Sequence, residues 1–382
     1  MHFELNETQT LIQQTARDFA QRRILPEAAR IDREGIFPSD IIKELADLGL
    51  MGVAVPEQLG GANAGPVAYV LAMMEIARAC ASTAVTMSVT NMVAEVISKF
   101  GTEAQREKYV PRLCSGELQA GSFALSESGA GSDPGGLRTT ARRDGDSWVL
   151  NGEKMWITSG DKAGVIVVWA RTGAPDSHPG TRGISCFLVE PGTPGFSVGK
   201  HEDKMGIRGS TTVSLLFDEC RIPASALLGE ENRGFRIAMM ALDGGRLGIA
   251  SQSIGIATAS LEETIVYVKE RKQFGHPIAD FQAIQWQLAD SRTEIDAARM
   301  LTLRAAWLKE NGRPFSAEAS MAKVFASETA VRVCNRCVQM HGGYGFTTEY
   351  GVERHLRDCR VTTIYEGTSE IQRTVISRAV LA

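Results

Sequence analysis

The sequence predicts an α+β protein in three domains: an N-terminal all-α domain over residues 1–118, a central antiparallel β domain over 119–230 and a C-terminal four-helix bundle over 231–382. Two changes of texture carry that expectation. Up to residue 118 apolar residues recur at helical spacing, and from Ser122 short β-branched and aromatic runs alternate with turn dipeptides. After Ile222-Pro223 long helical periods return with short connections, which is the pattern of a bundle.

In the first domain, Leu5 to Arg33 sets Leu11, Ile12, Thr15 and Phe19 near helical spacing. Pro38-Ser39-Asp40 opens a helix over Ile41 to Leu48 that Gly49 closes. Val67 to Phe100, rich in Ala, Met and Val, reads as closely packed buried helices, and Thr102 with Gln105 forms a capping box for a helix ended by Gly116. Strands are expected over Ser147 to Leu150, Gly164 to Ala170, Gly183 to Val189 and Thr211 to Phe217, with tight turns at Asp144-Gly145, Asn151-Gly152 and Pro191-Gly192. Bundle helices are expected over Gly234 to Lys269, Asp280 to Glu310 and Ser316 to Met340. A fourth runs from Ser369 to Leu381, begun by Ser369 and Gln372 as a capping box after an extended piece at 361–365.

With 41 basic and 45 acidic residues the net charge is -4, so no overall field draws the chain to nucleic acid or an anionic membrane. No apolar run approaches the roughly 20 residues of a membrane span. The first five residues, Met1-His2-Phe3-Glu4-Leu5, have neither the n-region nor the h-region of a secretory signal, and early acids argue against a transit peptide. Seven scattered cysteines suit a reducing compartment: cytoplasmic in a bacterium, or the mitochondrial matrix for a processed eukaryotic chain. Cys334 and Cys337 form a CxxC inside a helical pattern with no second pair, so they read as core residues, and no metal is expected.

Several short stretches can carry chemistry. Phe123-Ala124-Leu125-Ser126-Glu127-Ser128-Gly129-Ala130-Gly131-Ser132-Asp133 is a loop rich in glycine and hydroxyls, suited to a flavin edge or a phosphate, or else an ordinary turn. It lacks the Lys-Ser/Thr ending of a P-loop. Trp156-Ile157-Thr158 puts an indole and a hydroxyl two residues apart on one strand face, open either to a flat aromatic ligand or to the core. Arg271 to Gly275 is a basic cluster at a helix end, and Gln339 to Gly343 ends a helix on paired glycines, each readable as a ligand contact or as a plain helix terminus. Glu366, between Tyr365 and Gly367, sits just ahead of the last helix; its plain reading is a solvated loop acid that complements the helix dipole.

Taken together and in order, Phe123 to Asp133, Trp156 to Gly160, Asp243 to Arg246, Arg271 to Gly275, Gln339 to Gly343 and Ile364 to Gln372 resemble the acyl-CoA dehydrogenase family, over essentially the whole chain. The resemblance implies FAD as cofactor, an acyl-CoA substrate, a homotetramer and an electron-transferring flavoprotein as redox partner. By the same resemblance Phe123, Leu125, Ser126, Gly131 and Ser132, with Trp156, Ile157 and Thr158, would embrace the isoalloxazine. Arg271, Phe274, Gln282, Gln339, Gly342 and Gly343 would hold the pyrophosphate and adenosine, partly across a subunit boundary. Thr368 and Glu370 would close over the cofactor, while Ser132, Asp243, Arg246 and Gly367 would contact the thioester.

Glu366 matches the family's catalytic base, which abstracts the α-proton while the flavin accepts the β-hydride. The resemblance assigns the thioester oxygen to the Glu366 N–H and a flavin ribityl hydroxyl. Some members, the isovaleryl type among them, carry the base from the bundle helix just before the arginine matched by Arg246. This chain has Gly245 there. The segments "ALDGGRLGIASQ" and "IYEGTSEIQR" look most like the short-chain, butyryl-type members, with pocket depth set near Met87 to Met92. An acyl-CoA oxidase or nitroalkane-oxidising relative on the same fold, and a catalytically silent acyl-CoA-binding scaffold, are the competing readings.

Overall fold

The computed structural model describes residues 4–173 and 180–382, so most of the N-terminal stretch read above, residues 1–3, lies outside the described residues. The first segment holds α1 (Glu7–Phe19), α2 (Leu25–Glu34), α3 (Ser39–Asp47), α4 (Gly65–Ala79), α5 (Ala81–Phe100) and α6 (Glu103–Cys114). The stretch from Leu5 to Arg33, read as helical, forms α1 and α2 joined by a π turn at Ala20–Ile24. The capping box at α6 forms as read, with Thr102 Oγ1 accepting from the Gln105 N–H and Gln105 Oε1 from the Thr102 N–H. Helices α4 and α5 are buried on nearly every face, which explains their continuous Ala/Val/Met texture.

The middle segment is a sheet of β1 (Ala120–Ala124), β2 (Thr140–Asp144), β3 (Ser147–Thr158), β4 (Ala163–Arg171), β5 (Ile184–Val189), β6 (Phe196–His201), β7 (Thr212–Pro223) and β8 (Leu227–Leu228). Its order is β6-β7-β3-β2-β4-β5-β8, antiparallel along most of its ladders, with β1 and the start of β2 parallel to β4. Asp144-Gly145 makes the β2–β3 turn, and Gly145 takes a φ of 59°. Asn151-Gly152 is not a turn. Strand β3 runs through it, and the pair forms a bulge against β7, where the Asn151 side chain exchanges two hydrogen bonds of 2.8 Å with Glu219. Because β7 extends the ladder past this point, the glycine serves a local kink (φ 142°) and the chain does not reverse.

The last segment contains α7 (Gly234–Glu270), a two-stranded ribbon of β9 (Lys272–Gln273) and β10 (His276–Pro277), α8 (Gln282–Glu310), α9 (Ser316–His341), α10 (Val352–Arg360) and α11 (Ser369–Leu381). Helix α8 begins at Gln282, two residues after the expected Asp280, since Ile278–Asp280 is a separate 3-10 turn. Residues 361–365 are not extended either. Val361–Thr363 continues α10 as a 3-10 turn, held by Thr362 Oγ1 donating to the Cys359 carbonyl (2.7 Å) and by the Val361 carbonyl, which accepts from the Ile364 and Tyr365 N–H groups.

One of the apolar clusters joins the three segments. It runs from Val85, Val93 and Leu113 through Val165, Trp169 and Leu188 to Ile254, Ala326 and Cys334. Trp169 is fully buried and donates its indole N–H to the Gly234 carbonyl at the start of α7 (2.7 Å), fixing the sheet to the bundle. Cys334 and Cys337 are both buried in that core as thiols. No helix among the described residues is long and apolar enough to cross a membrane.

Candidate active site

Glu366 and Gly367 both adopt left-handed backbone, with φ of 54° and 88°. That region suits glycine and strains glutamate, so something must hold the turn. The holding groups come from two helices. Gln372 Nε2 on α11 donates to the Glu366 carbonyl (3.0 Å) and the Gly367 carbonyl (2.9 Å), and Lys323 Nζ on α9 donates to the Gly367 carbonyl (2.6 Å). The expected Ser369/Gln372 capping box is therefore replaced. Thr368 is the N-cap, its Oγ1 accepting from the Ile371 N–H at 3.4 Å, which frees Gln372 to turn back onto the loop.

The Glu366 carboxylate is pressed against Gly245 of α7: a methyl group at 245 would overlap Glu366 Oε2 and lie 3.2 Å from Met92 Sδ. Oε2 is buried and finds no hydrogen-bond partner among the described residues. Burial pushes its pKa from the ordinary 4.5 up to about 7, opposed by the positive charges of Arg246 and Lys323. Arg246 is itself buried. Its Nη1 donates to Asp243 Oδ1 (2.5 Å) and Ser320 Oγ (3.2 Å), and Asp243 also accepts from Ser316 Oγ (2.8 Å). Lys323 is fully buried, and burial lowers its pKa to about 8 against the pull of the Glu366 charge. Tyr365 beside the acid donates to Gln252 Oε1, whose amide donates in turn to the Ala81 carbonyl (2.9 Å).

A second group forms where the hydroxyl-rich loop meets β3. Phe123 lies in β1, not in the loop, and its ring packs on Trp169 with centroids 4.3 Å apart. The Met155 N–H donates to the Ser126 carbonyl (2.9 Å), which places the loop beside the indole. Trp156 has a φ of 64° at a register shift in β3 and stays 57% exposed, while Ile157 is buried in the sheet core. A bulge, not plain strand alternation, thus presents the indole. Leu125 is also buried, so Leu125 and Ile157 can offer a ligand only their backbone. Gly129 and Gly131 have open space around them, and Ser132 is exposed. Thr158 is half-buried, its carbonyl accepting from Ser122 Oγ (2.7 Å).

A third group is a cavity of about 480 Å³ at the far end of α7 and α9. Arg271, Gln339, Gly342 and Gly343 line it as expected, together with Tyr267, His341 and Tyr344. Phe274 and Gln282 are exposed outside it. His341 stacks on Tyr267 with centroids 4.1 Å apart, and its buried Nε2 finds no partner among the described residues. Burial lowers its pKa.

Sequence reasoning missed Lys323, Lys154, Gln252 and the role of Gln372. Lys154 is fully buried, donating to Glu127 Oε1 (2.7 Å) and the Leu125 carbonyl (3.1 Å). Glu127 in turn accepts from the Arg138 and Thr139 N–H groups at 2.6 and 3.0 Å. The one signal for Lys154 was its place at the head of the stretch Lys154-Met155-Trp156-Ile157-Thr158.

These features fit a flavin dinucleotide: an exposed indole held on a bulge beside a hydroxyl-bearing loop suits a flat ring with a polar edge, and the cationic, glycine-lined cavity suits phosphate. Three family profiles match in register: "Acyl-CoA dehydrogenase, N-terminal domain" over residues 6–117, the middle domain over 122–220 and the C-terminal domain over 232–381. The chain is 50% identical to the mitochondrial short-chain specific acyl-CoA dehydrogenase of Homo sapiens, covering 98% of this chain and 90% of that protein. It superposes on the butyryl-CoA dehydrogenase of Megasphaera elsdenii with a TM-score of 0.97 at 43% identity over 100% of both chains. A chain solved in work on the electron transferring flavoprotein of Acidaminococcus fermentans gives the same TM-score of 0.97 and 43% identity, again over 100% of both.

Proposed function

Since this chain belongs to the acyl-CoA dehydrogenase family, as an FAD-dependent enzyme, we propose that it removes the α and β hydrogens of a short- to medium-chain acyl-CoA to give the trans-2-enoyl-CoA, with Glu366 as the base. The observation that carries this is the Glu366 carboxylate: on a half-buried residue, one oxygen is shut off from solvent and without a partner, on a strained turn braced by Gln372 and Lys323. A carboxylate oxygen shut away from solvent without a partner, its pKa raised to about 7, is basic enough to take a carbon-bound proton and has no competing hydrogen bond to break.

The α-proton becomes acidic only as negative charge moves onto the thioester oxygen. The Glu366 N–H has no acceptor among the described residues, which supports a role for it in stabilising that charge. FAD, when bound, supplies the acceptor for the β-hydride. Ser126, Ser132, Trp156 and Thr158 would hold the ring, with Phe123, Leu125, Gly131 and Ile157 contributing backbone or packing. Arg271, Gln339, Gly342 and Gly343 would hold the far end, and Phe274, Gln282, Thr368 and Glu370 would complete the enclosure. Ser132, Asp243, Arg246 and Gly367 would line the thioester. Gly245 supports the loop position of the base, because any side chain there would collide with the Glu366 carboxylate.

The short acyl length rests on the likeness to short-chain and butyryl relatives. The divisions at 118/119 and 230/231 follow the change of texture. An electron-transferring flavoprotein as oxidant and a homotetramer complete the reading.

Glu366→Gln is the test. The variant should bind FAD and acyl-CoA normally and lose at least about 100-fold in kcat. In the wild type, anaerobic bleaching of the flavin across a series of acyl-CoA lengths should be strongest at short chains. Reoxidation should be slow in air and fast with an electron-transferring flavoprotein; rapid reaction with oxygen would favour an oxidase, and a chain that takes up no flavin would favour a silent scaffold.

A further inference from the structure

Building on Glu366 as the base, we propose that Lys323 is the positioning residue of the catalytic loop: buried in α9, its ammonium clamps the Gly367 carbonyl directly after the base and sets a positive charge beside the loop.

A lysine in the middle of α9 with no exposed surface is costly, because an ammonium loses its hydration and needs compensation. Nζ makes one hydrogen bond among the described residues, to the Gly367 carbonyl (2.6 Å), and forms no ion pair among them. The other buried cation of the site, Arg246, is already matched by Asp243. Lys323 is thus the charge that the cluster leaves unneutralised by direct pairing, and Glu366 is the anion that acts on it most strongly. The remaining charged or titratable groups around this pair are Asp243 and Arg246 from α7, Glu328 from α9, Glu370 from α11, Tyr69 from α4 and Tyr365 from the loop.

The geometry separates two effects. Successive left-handed residues bring the Glu366 and Gly367 carbonyls within reach of one donor, Gln372 Nε2, while Lys323 takes only the second carbonyl. Removing Gln372 loosens the loop without changing the charge. Removing Lys323 loosens the loop and also withdraws a positive charge from the carboxylate.

The experiment compares K323M, K323Q and Q372L holoenzymes over pH 5.5 to 9.5 with a short acyl-CoA. K323M is expected to lose about 10- to 100-fold in kcat with KM held within about 3-fold, as for a misplaced reacting group. Its acid limb of kcat/KM should move up by about one pH unit. Q372L should lower kcat while leaving that limb in place. Flavin stoichiometry and absorbance report that each variant is assembled. An unmoved limb in K323M overturns the proposal, whatever happens to kcat. If K323M yields no holoenzyme, K323Q is read in the same way, and failure of both to assemble makes Lys323 a folding residue and equally overturns it. A fully active E366Q would sink the assignment of the base instead. An inactive E366Q beside a K323M of wild-type profile sinks only this inference.

Discussion

At the residue scale, the pKa of Glu366 couples chemistry to stability. Its folded value of about 7 stands above the ordinary 4.5, so the native state binds that proton more tightly than the unfolded chain does. The stabilisation is complete below pH 4.5 and is lost as pH rises through 7. At about 1.4 kcal/mol per pKa unit, the ionised buried carboxyl costs the wild type roughly 3 kcal/mol at pH 8. E366Q carries no such proton. Its melting temperature should therefore gain on the wild type between pH 5 and pH 8, and a difference independent of pH would refute the shifted carboxyl. In the wild type, kcat/KM should rise with pH and level off above about pH 7, where the base is ionised. Glu366 was legible because its flanking residues form a long, specific motif. Lys323 was not, since a lone lysine in a helical pattern reads as solvated.

At the element scale, the Lys154–Glu127 pair ties the hydroxyl-rich loop to β3 just before the bulge that presents Trp156. With side-chain exposures of 0% and 9%, the pair is buried, and taking away one partner strands the other charge. K154M should lose about 3 to 5 kcal/mol in denaturant unfolding and should weaken FAD binding. E127L/K154M should recover much of the stability, because no orphan charge remains. If the double variant were as unstable as the single one, the pair would not be the anchor of this loop. The bulge at 155–156 was illegible because strand propensity reports pairing and burial but not where a ladder slips a residue. At the start of α11 the sequence pointed to a Ser369/Gln372 capping box, whereas Thr368 caps the helix and Gln372 is drawn back by the demand for donors at the Glu366 and Gly367 carbonyls.

At the scale of the whole molecule, the sheet and the bundle are joined where Trp169 meets the Gly234 carbonyl. Gly234 sits so tightly on Ser185 and Cys186 of β5 that a side chain there would overlap backbone atoms. Trp169→Phe keeps much of the apolar contact and removes that bond, so it should lower the unfolding free energy by about 0.5 to 1.5 kcal/mol. A Cm unchanged in W169F would show that this bond does not secure the junction. A second tie lies on the other flank. Arg357 of α10 donates to both carboxylate oxygens of Asp32 on α2 (2.7 and 3.0 Å), and Asp358 accepts from the Ile207 N–H (2.6 Å).

The sequence by itself determined the α–β–α order and the lengths of the long helices, and it singled out Glu366 as the proposed base, because periodicity, caps and contiguous motifs are local properties. The tertiary structure alone decided which buried charges face that acid, how its strained turn is braced and where the indole emerges from the sheet. Those outcomes depend on side chains far apart in the chain: Gly245, Arg246, Lys323 and Gln372 reach Glu366 from three different helices, and no local pattern records their meeting.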